Sequence, residues 1–336
     1  MALLLSVCVG ISMLPMMAFA DDGTAGEATP TAEDETKPTP TDAKYFKFEE
    51  GEYDEVNDIE TYEITGYKGT ASTVVIPDTI NGKKVTSIFL YEDDDILVVN
   101  KPAGLVVHPA AGHWDDTLLN GLLARNPELK TLPRAGIVHR LDRDTTGLMV
   151  VAKTLEAQTD LIRQLQARTV KREYWAIVHG QAPQAGFIDE PIMRDPRSPI
   201  RFCVGQGPRA KEAKTHVRLV DFAYVPGVGQ TPLSVSWVAC RLDTGRTHQI
   251  RVHMQWAGFP LVGDPLYKGK MSKLPEGCPL SLIKRQALHA SRLGLEHPRT
   301  KELMQWFVPA PDDLAQLMTE IGFAPTDEPV SVFENR

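Results

Sequence analysis

The sequence predicts an α+β fold in which helices pack against a mixed, largely antiparallel central sheet. Its 336 residues include 42% hydrophobic and 24% charged side chains, a composition that supports a sizeable buried core. Apolar segments typical of strands follow one another directly at several places, and they also flank segments with helical spacing. We therefore expect antiparallel pairing to dominate over a doubly wound parallel sheet.

The chain opens with an uncharged apolar segment, residues 1–20, which ends in Ala18-Phe19-Ala20 just before two aspartates. This pattern is typical of a secretory signal peptide, although the usual basic residue after Met1 is missing. A membrane-spanning helix is the alternative, and Pro15 and the short length disfavour it. We predict a signal-peptide-like leader over 1–20.

A disordered acidic linker is predicted over residues 21–61, because residues 21–44 are rich in Thr, Pro, Ala, Asp and Glu and have almost no large apolar side chains. Residues 21–60 carry fourteen acidic side chains and three lysines, so the net charge of −8 for the whole chain becomes about +3 for residues 61–336. The negative total therefore does not exclude a domain that binds a polyanion.

Residues 62–88 alternate β-branched residues with glycines and contain the turn dipeptide Asn81-Gly82, which predicts short strands. The segment resembles one unit of the BspA-type leucine-rich repeats found on bacterial surface proteins. Repeat units are stabilised by stacking on one another, so a single unit is not expected to form an independent core.

Residues 89–325 have the pattern of one globular domain. Helical spacing of leucines predicts a helix within 117–126, and an amphipathic helix is predicted over 155–168 with Leu155, Leu161, Ile162 and Leu165 on its buried side. Apolar runs predict strands at 96–100, 104–108, 147–153, 172–180 and 234–242.

Two segments between these strands concentrate polar side chains, HRLDRDTTGLMVVAKT at 139–154 and RLDTGRTHQIRVHM at 241–254. Asp142 lies close to Arg140 and Arg143, and a carboxylate among guanidinium groups can act as nucleophile or general base. A salt-bridged turn aspartate is the alternative. A glycosidase that pairs Asp142 with Asp144 is a further one, but two carboxyls on one short loop offer no clear route to the separation that such enzymes need.

The second polar segment and the cysteines show no pattern typical of a metal site or a nucleotide site. Arg246 and Arg251 are five residues apart, which in a strand would put them on opposite faces. His248 and His253 lack the H-E-x-x-H pattern, and no complete G-x-G-x-x-G or Walker A segment is present. We expect no nucleotide cofactor and no metal, since the thiols also form no C-x-x-C pair; the cysteines are Cys8, Cys203, Cys240 and Cys278.

A basic stretch over 194–218 has two open interpretations, a solvated surface or a loop that follows a phosphate backbone. Its cationic residues are Arg194, Arg197, Arg201, Arg209, Lys211, Lys214 and Arg218.

Six segments, in order over some 230 residues, resemble the RluA-type RNA pseudouridine synthases, and HRLDRDTTGLMVVAKT is most similar to the RluD-like branch that acts on large-subunit ribosomal RNA. The resemblance covers about two-thirds of the chain. The segments are LYEDDDILVVNKPAGLVVHP (90–109), HRLDRDTTG (139–147), KREYWAIVHG (171–180), TGRTHQIRVHM (244–254), GDPLY (263–267) and ALHASRL (287–293).

The resemblance implies a pseudouridine synthase fold, a catalytic domain over 89–325 and isomerisation of uridine to pseudouridine without a cofactor. By resemblance, Asp142 is the catalytic aspartate, Tyr174 stacks on the uracil, and Arg251 pairs with the aspartate. Arg140 would help to hold the target nucleotide out of the RNA helix. We assign further RNA contacts to His139, Arg201, Arg209, Lys211, Arg246 and His248.

The expected partner is RNA, ribosomal first and transfer RNA second, with no DNA, no stable membrane partner after leader removal and a monomeric state. Such a function is cytoplasmic, whereas the leader over 1–20 indicates export. RluD-like enzymes usually begin with a small RNA-binding domain, and residues 1–88 stand in its place, through gene fusion or an assembly error. The alternative function is a secreted or surface binding protein with a passive synthase-like domain.

Overall fold

The computed structural model describes residues 88–110, 112–227, 232–269 and 274–324, together with the backbone of four short strands nearer the N-terminus. The predicted leader over 1–20 lies outside the described residues. No helix within the described ranges is long and apolar enough to cross a membrane.

The four N-terminal strands are β1 (Phe46–Glu50), β2 (Thr61–Tyr67), β3 (Thr79–Ile80) and β4 (Lys83–Val85). They form one sheet in the order β1-β2-β4-β3. Strand β1 falls inside the predicted linker over 21–61, so the prediction of disorder is wrong for that part; the alternating FKFEE pattern pairs antiparallel with β2. Short strands in 62–88 are confirmed, and a leucine-rich-repeat unit stays a prediction.

The central sheet has nine strands in the order β5-β6-β7-β14-β8-β13-β12-β9, with β15 paired to β14. The β7–β14 pair is parallel and the other pairs in this sheet are antiparallel, which confirms the predicted mixed, largely antiparallel architecture. A separate hairpin joins β10 to β11. The bounds are β5 (Phe89–Glu92), β6 (Ile96–Lys101), β7 (Thr146–Ala152), β8 (Lys171–His179), β9 (Ala185–Asp189), β10 (Ile192–Arg194), β11 (Phe202–Val204), β12 (Lys214–Val225), β13 (Leu233–Leu242), β14 (Leu288–Glu296) and β15 (Leu303–Phe307).

Helices cover both faces of this sheet. They are α1 (Leu118–Arg125), α2 (Leu155–Ala167), α3 (Gln249–Trp256) and α4 (Asp312–Ile321). Tyr174 and Ala176 of β8 belong to the apolar cluster that includes α1 and α3, whereas Trp175 and Ile177 belong to the cluster that includes α4. Because the central strands are buried on both faces, their sequences are continuous runs of apolar residues.

Three local predictions are corrected. Residues 104–108 form turns, because Gly104 has φ +83° and the backbone wraps around the Lys101 ammonium. In α2 the buried stripe runs through Ala157, Leu161 and Gln164, at helical spacing, so the predicted Leu155 and Ile162 are exposed. The segment 244–254 is a loop followed by α3 rather than a strand, so the two arginines do not lie on opposite strand faces.

The parallel junction between β7 and β14 requires a glycine. Gly147 has φ +111°, and a Cβ at this position would lie 2.2 Å from the backbone oxygen of Ala290. Beside it, the Thr146 hydroxyl lies 2.9 Å from His289 Nδ1, and His289 is buried. Since β7 follows directly on the HRLDRD segment, this junction fixes where that segment lies.

We predict that Gly147→Ala lowers the free energy of unfolding by about 2–4 kcal/mol, because the backbone contact and the positive φ both oppose a side chain. The control is Gly121→Ala in α1, where a Cβ meets nothing within 4 Å. That variant should be neutral or more stable by about 1 kcal/mol. Urea unfolding of the two variants measures the difference, and equal stabilities would contradict the account.

Candidate active site

A cavity of about 810 Å³ opens on the sheet face that α1 and α3 cover. Its walls come from the segment before β7, from β8, and from the loop that precedes α3. The cationic side chains that line it outnumber the acidic ones, Asp142 and Asp243; they are Arg134, Arg140, Arg168, Arg172, Arg246 and Arg251. Such a cavity attracts and concentrates anions.

The guanidinium of Arg251 holds two carboxylates, that of Asp142 in the cavity lining and that of Asp264 in the interior. Its Nε and Nη2 donate to the two oxygens of Asp264 at 2.7 and 2.9 Å, and its Nη1 donates to Asp142 Oδ2 at 2.9 Å. Arg251 is 4% exposed and the Asp264 side chain has no exposed surface, whereas Asp142 keeps 17% of its side chain accessible. The Asp142 carboxylate is therefore fixed in orientation but open to a ligand.

The Asp264 side chain is fixed by its own loop. Its Oδ1 also accepts hydrogen bonds from the backbone N–H groups of Leu266 and Tyr267, at 2.8 and 2.9 Å. Burial raises the pKa of Asp264, but the hydrogen bonds and charge of Arg251 outweigh it and lower the pKa below its ordinary value. Burial likewise opposes the charge of Arg251, and the two carboxylates raise the pKa of Arg251. The pair remains charged in the interior because each partner compensates the other.

His248 lies at the start of α3 with a left-handed backbone, φ 58°. Its Nδ1 is 2.7 Å from the Tyr267 hydroxyl, which accepts a hydrogen bond from the Phe202 N–H and has its own proton to donate. When Nδ1 accepts that proton, the neutral ring carries its proton on Nε2, which is 3.9 Å from Asp142 Oδ1. Burial lowers the pKa of His248, which favours this neutral form.

Two anchors hold the segment that carries Asp142. The buried Lys101 ammonium donates to the carbonyl oxygens of Pro102, Leu105 and Arg143 at 2.7, 3.0 and 2.7 Å. Burial lowers the pKa of Lys101 to about 7, an effect that the nearby carboxylates oppose. His139 Nε2 accepts the Val150 N–H at 3.1 Å and so attaches the same segment to β7.

The loop before α3 is organised by the Gln249 side chain. Its Oε1 accepts the Thr244 hydroxyl at 2.8 Å and the Arg246 N–H at 3.0 Å, while its Nε2 donates to the Lys214 carbonyl. Arg246 is exposed at the cavity, and its Nε donates to the Glu212 carbonyl at 2.9 Å. These hydrogen bonds therefore fix the shape of the cavity wall that the TGRTHQ loop forms.

The structure brings most of the predicted site residues to one cavity. Asp142 and Arg251 are in contact, and the other members lining the cavity are Tyr174, Arg140, His139, Arg246 and His248. Tyr174 is 5% exposed, and burial raises its pKa, whereas Arg140 is exposed.

Three predicted RNA contacts lie outside the cavity lining. Arg201 packs over the Tyr267 ring, with 5.4 Å from its Cζ to the ring centroid, and donates to Gln255 at 3.4 Å. Arg209 and Lys211 are exposed on the segment between β11 and β12. The structure does not bring these three residues together with Asp142.

Four residues of the site had no assigned role in the sequence analysis, namely Lys101, Arg172, Asp264 and Tyr267. Each belongs to a quoted motif segment, NKPAG, KREYW or GDPLY. Their residue types and spacing in the sequence indicate no chemistry; Asp264, for example, meets Arg251 across thirteen positions.

A second cluster of potential metal ligands lies away from the cavity. Among the described residues, Asp93, Asp95 and His297 are close enough to share an ion. These groups already have partners, since His297 Nε2 contacts Asp93 at 2.8 Å and the Arg299 guanidinium contacts Asp95 at 2.6 Å. The absence of a metal stays a prediction.

The fold has counterparts among known proteins. The structure described as human RNA Pseudouridylate Synthase Domain Containing 4 superposes with a TM-score of 0.53 at 23% identity, covering 71% of this chain and 94% of that one. The shared fold is α+β, as predicted. The family described as RNA pseudouridylate synthase matches residues 95–256, which include Asp142 and Arg251.

Sequence relatives define the family. The ribosomal large subunit pseudouridine synthase D of Xanthomonas campestris pv. campestris is 50% identical over 238 residues, covering 69% of this chain and 68% of that protein. The protein of the same name from Neisseria meningitidis serogroup A is 51% identical over 233 residues, 68% of this chain and 60% of its own length. The chain belongs to the RNA pseudouridylate synthase family. It spans about 60% of the length of the Neisseria relative.

We predict that Asp264→Asn lowers the free energy of unfolding by about 3 kcal/mol, because an amide donor then faces the Arg251 guanidinium in a buried site. The control is Asp313→Asn, since Asp313 makes the same two-oxygen contact with Arg285 but is 45% exposed. That change should cost about 1 kcal/mol or less. Denaturant unfolding compares the two, and a larger loss in Asp313→Asn would contradict the importance of burial.

The free energy of unfolding at acidic pH should depend on His139. Burial lowers the pKa of His139 to about 3, so between pH 6.5 and about 3 the unfolded state binds the extra proton and stability falls as the pH falls. His139→Gln removes this titration and keeps an acceptor for Val150. We expect the slope of unfolding free energy against pH to decrease by up to about 1.4 kcal/mol per pH unit in that window. An unchanged slope would show that His139 does not titrate on unfolding.

Proposed function

We propose that the protein isomerises uridine to pseudouridine in RNA with Asp142 as the catalytic residue. The observation that carries the proposal is the Asp142 carboxylate, held at 2.9 Å by Arg251 and accessible from a cationic cavity. Membership of the RNA pseudouridylate synthase family supports the same chemistry. The reaction is redox-neutral and takes up no external group, so the proposal includes no cofactor.

In this reaction the bond between C1′ and N1 breaks, the uracil turns, and a bond forms between C1′ and C5. The C5 proton is lost and N1 gains one, so the product is an isomer of the substrate. Asp142 starts the reaction by attack on the sugar or the uracil ring, or by assisting proton removal from the ribose. Arg251 compensates the carboxylate charge, and the cavity walls retain the detached uracil.

A uridine inside structured RNA must leave the helix to reach Asp142. We assign stacking on the uracil to Tyr174, which lines the same cavity as Asp142. Arg140 is exposed at the cavity and takes the role of holding the extruded nucleotide. His139, Arg201, Arg209, Lys211, Arg246 and His248 stay predicted RNA contacts.

The proposed substrate is large-subunit ribosomal RNA, because relatives at about 50% identity are named as ribosomal large subunit pseudouridine synthases. Transfer RNA is the second candidate. We expect the enzyme to act as a monomer in the cytoplasm, where ribosomal RNA is found.

The test is to incubate the protein with unmodified ribosomal and transfer RNA transcripts and to map pseudouridine by carbodiimide-dependent stops in reverse transcription. We expect new stops in ribosomal RNA with the parent, and a rate at least about 10³-fold lower with Asp142→Asn, which loses the reacting carboxylate. The matched control is Asp144→Asn, whose carboxylate pairs with the exposed Arg143 at 3.1 Å. The control should keep activity within a few-fold, and Asp142→Asn near the parent rate would contradict the assignment.

The surface-protein alternative depends on residues 1–88, and its discriminating observation is the natural N-terminus. A mature chain that begins at Asp21 means export and favours the alternative. Mass spectrometry of the protein from its source should instead find the leader uncleaved if the enzyme acts on ribosomal RNA.

A further inference from the structure

Arg172 is a buried cation that has no protein partner among the described residues. It is the second residue of β8 and lies on the same face as Tyr174, two positions on, so both side chains reach the cavity. Arg172 is 7% exposed, and its Nε is fully buried and unbonded. Across the part of the chain that the structure describes, its guanidinium forms no hydrogen bond and no ion pair.

A buried guanidinium without acceptors lowers the stability of the fold unless a ligand supplies the acceptors. A guanidinium removed from water needs acceptors, and Arg251 nearby has two carboxylates, whereas Arg172 has none. The neighbouring loop leaves room for it, since a Cβ on Gly245 would lie 3.0 Å from Arg172 Nη1. An unpartnered cation kept in a functional cavity indicates an anionic ligand that the cavity receives.

We propose that Arg172 binds a backbone phosphate of the substrate RNA, adjacent to the uridine that enters the cavity. The inference rests on the proposed function and adds a specific phosphate subsite to it. A guanidinium matches a phosphate with two parallel hydrogen bonds, and the negative charge of the phosphate compensates the buried cation. A uracil carbonyl is neutral and would leave that charge uncompensated.

The experiment measures single-turnover pseudouridine formation at several salt concentrations for the parent, Arg172→Met and Arg172→Lys. For Arg172→Met we expect the half-saturating RNA concentration to rise by about 10- to 100-fold, as for loss of a charged hydrogen bond. The slope of log affinity against log salt should decrease by about 0.7–0.9, the value for one lost phosphate contact. Arg172→Lys should restore the slope but only part of the affinity, because it keeps the charge and loses the two-pronged geometry.

The matched control is Lys171→Met, which removes a positive charge from the preceding position of β8, on the opposite strand face and exposed. It should leave the salt slope unchanged. Thermal unfolding provides a second readout, since Arg172→Met removes an uncompensated buried charge and should be at least as stable as the parent. A structural role for Arg172 would instead make this variant less stable.

Two results would overturn the inference: an unchanged salt slope in Arg172→Met, or destabilisation of that variant together with an unchanged half-saturating concentration. Either result, with pseudouridine formed by the parent, leaves the proposed function standing. If the parent forms no pseudouridine on any transcript, the proposed function itself fails.

Discussion

The site depends on one guanidinium, Arg251, that is shared between two carboxylates. Asp264 takes two of its hydrogen bonds in the interior, and the third reaches Asp142 in the cavity lining. The buried pair fixes the arginine, and the arginine in turn fixes the carboxylate that is accessible from the cavity. A charge buried this deeply is stable only with such compensation. For this reason the orientation of Asp142 is a property of the folded domain rather than of its own loop.

The fold brings these groups together from distant parts of the chain. Asp142 precedes β7, Arg251 is on α3, and the Lys101 ammonium at the end of β6 bonds to the Arg143 carbonyl. The β7–β14 junction and the Gln249 side chain hold the neighbouring walls. The cationic side chains that line the cavity outnumber the acidic ones. The cavity therefore suits a polyanion even though the whole chain carries a net charge of −8.

Sequence patterns predict the central strands and two helices because apolar periodicity reports burial directly. They fail where tertiary contacts decide. The predicted strand at 104–108 instead wraps around Lys101, and the strand spacing considered for Arg246 and Arg251 does not apply, because 244–254 is a loop followed by α3. Asp142 and Arg251 follow from motif resemblance, and the structure places them in contact. The roles of Asp264 and Arg172 could not be predicted. A partner thirteen residues away, for Asp264, leaves no pattern in the sequence, and neither does the lack of a partner within the described part of the chain, for Arg172.

Isomerisation of uridine at this cavity is measured most directly by tritium release from RNA labelled at C5 of uridine. Formation of the bond between C1′ and C5 displaces the C5 hydrogen, whereas simple cleavage of the glycosidic bond does not. We predict that the protein releases tritium into water while all uracil remains attached to the RNA chain. Free labelled uracil without tritium in water would contradict it and would indicate a hydrolase at the same cavity.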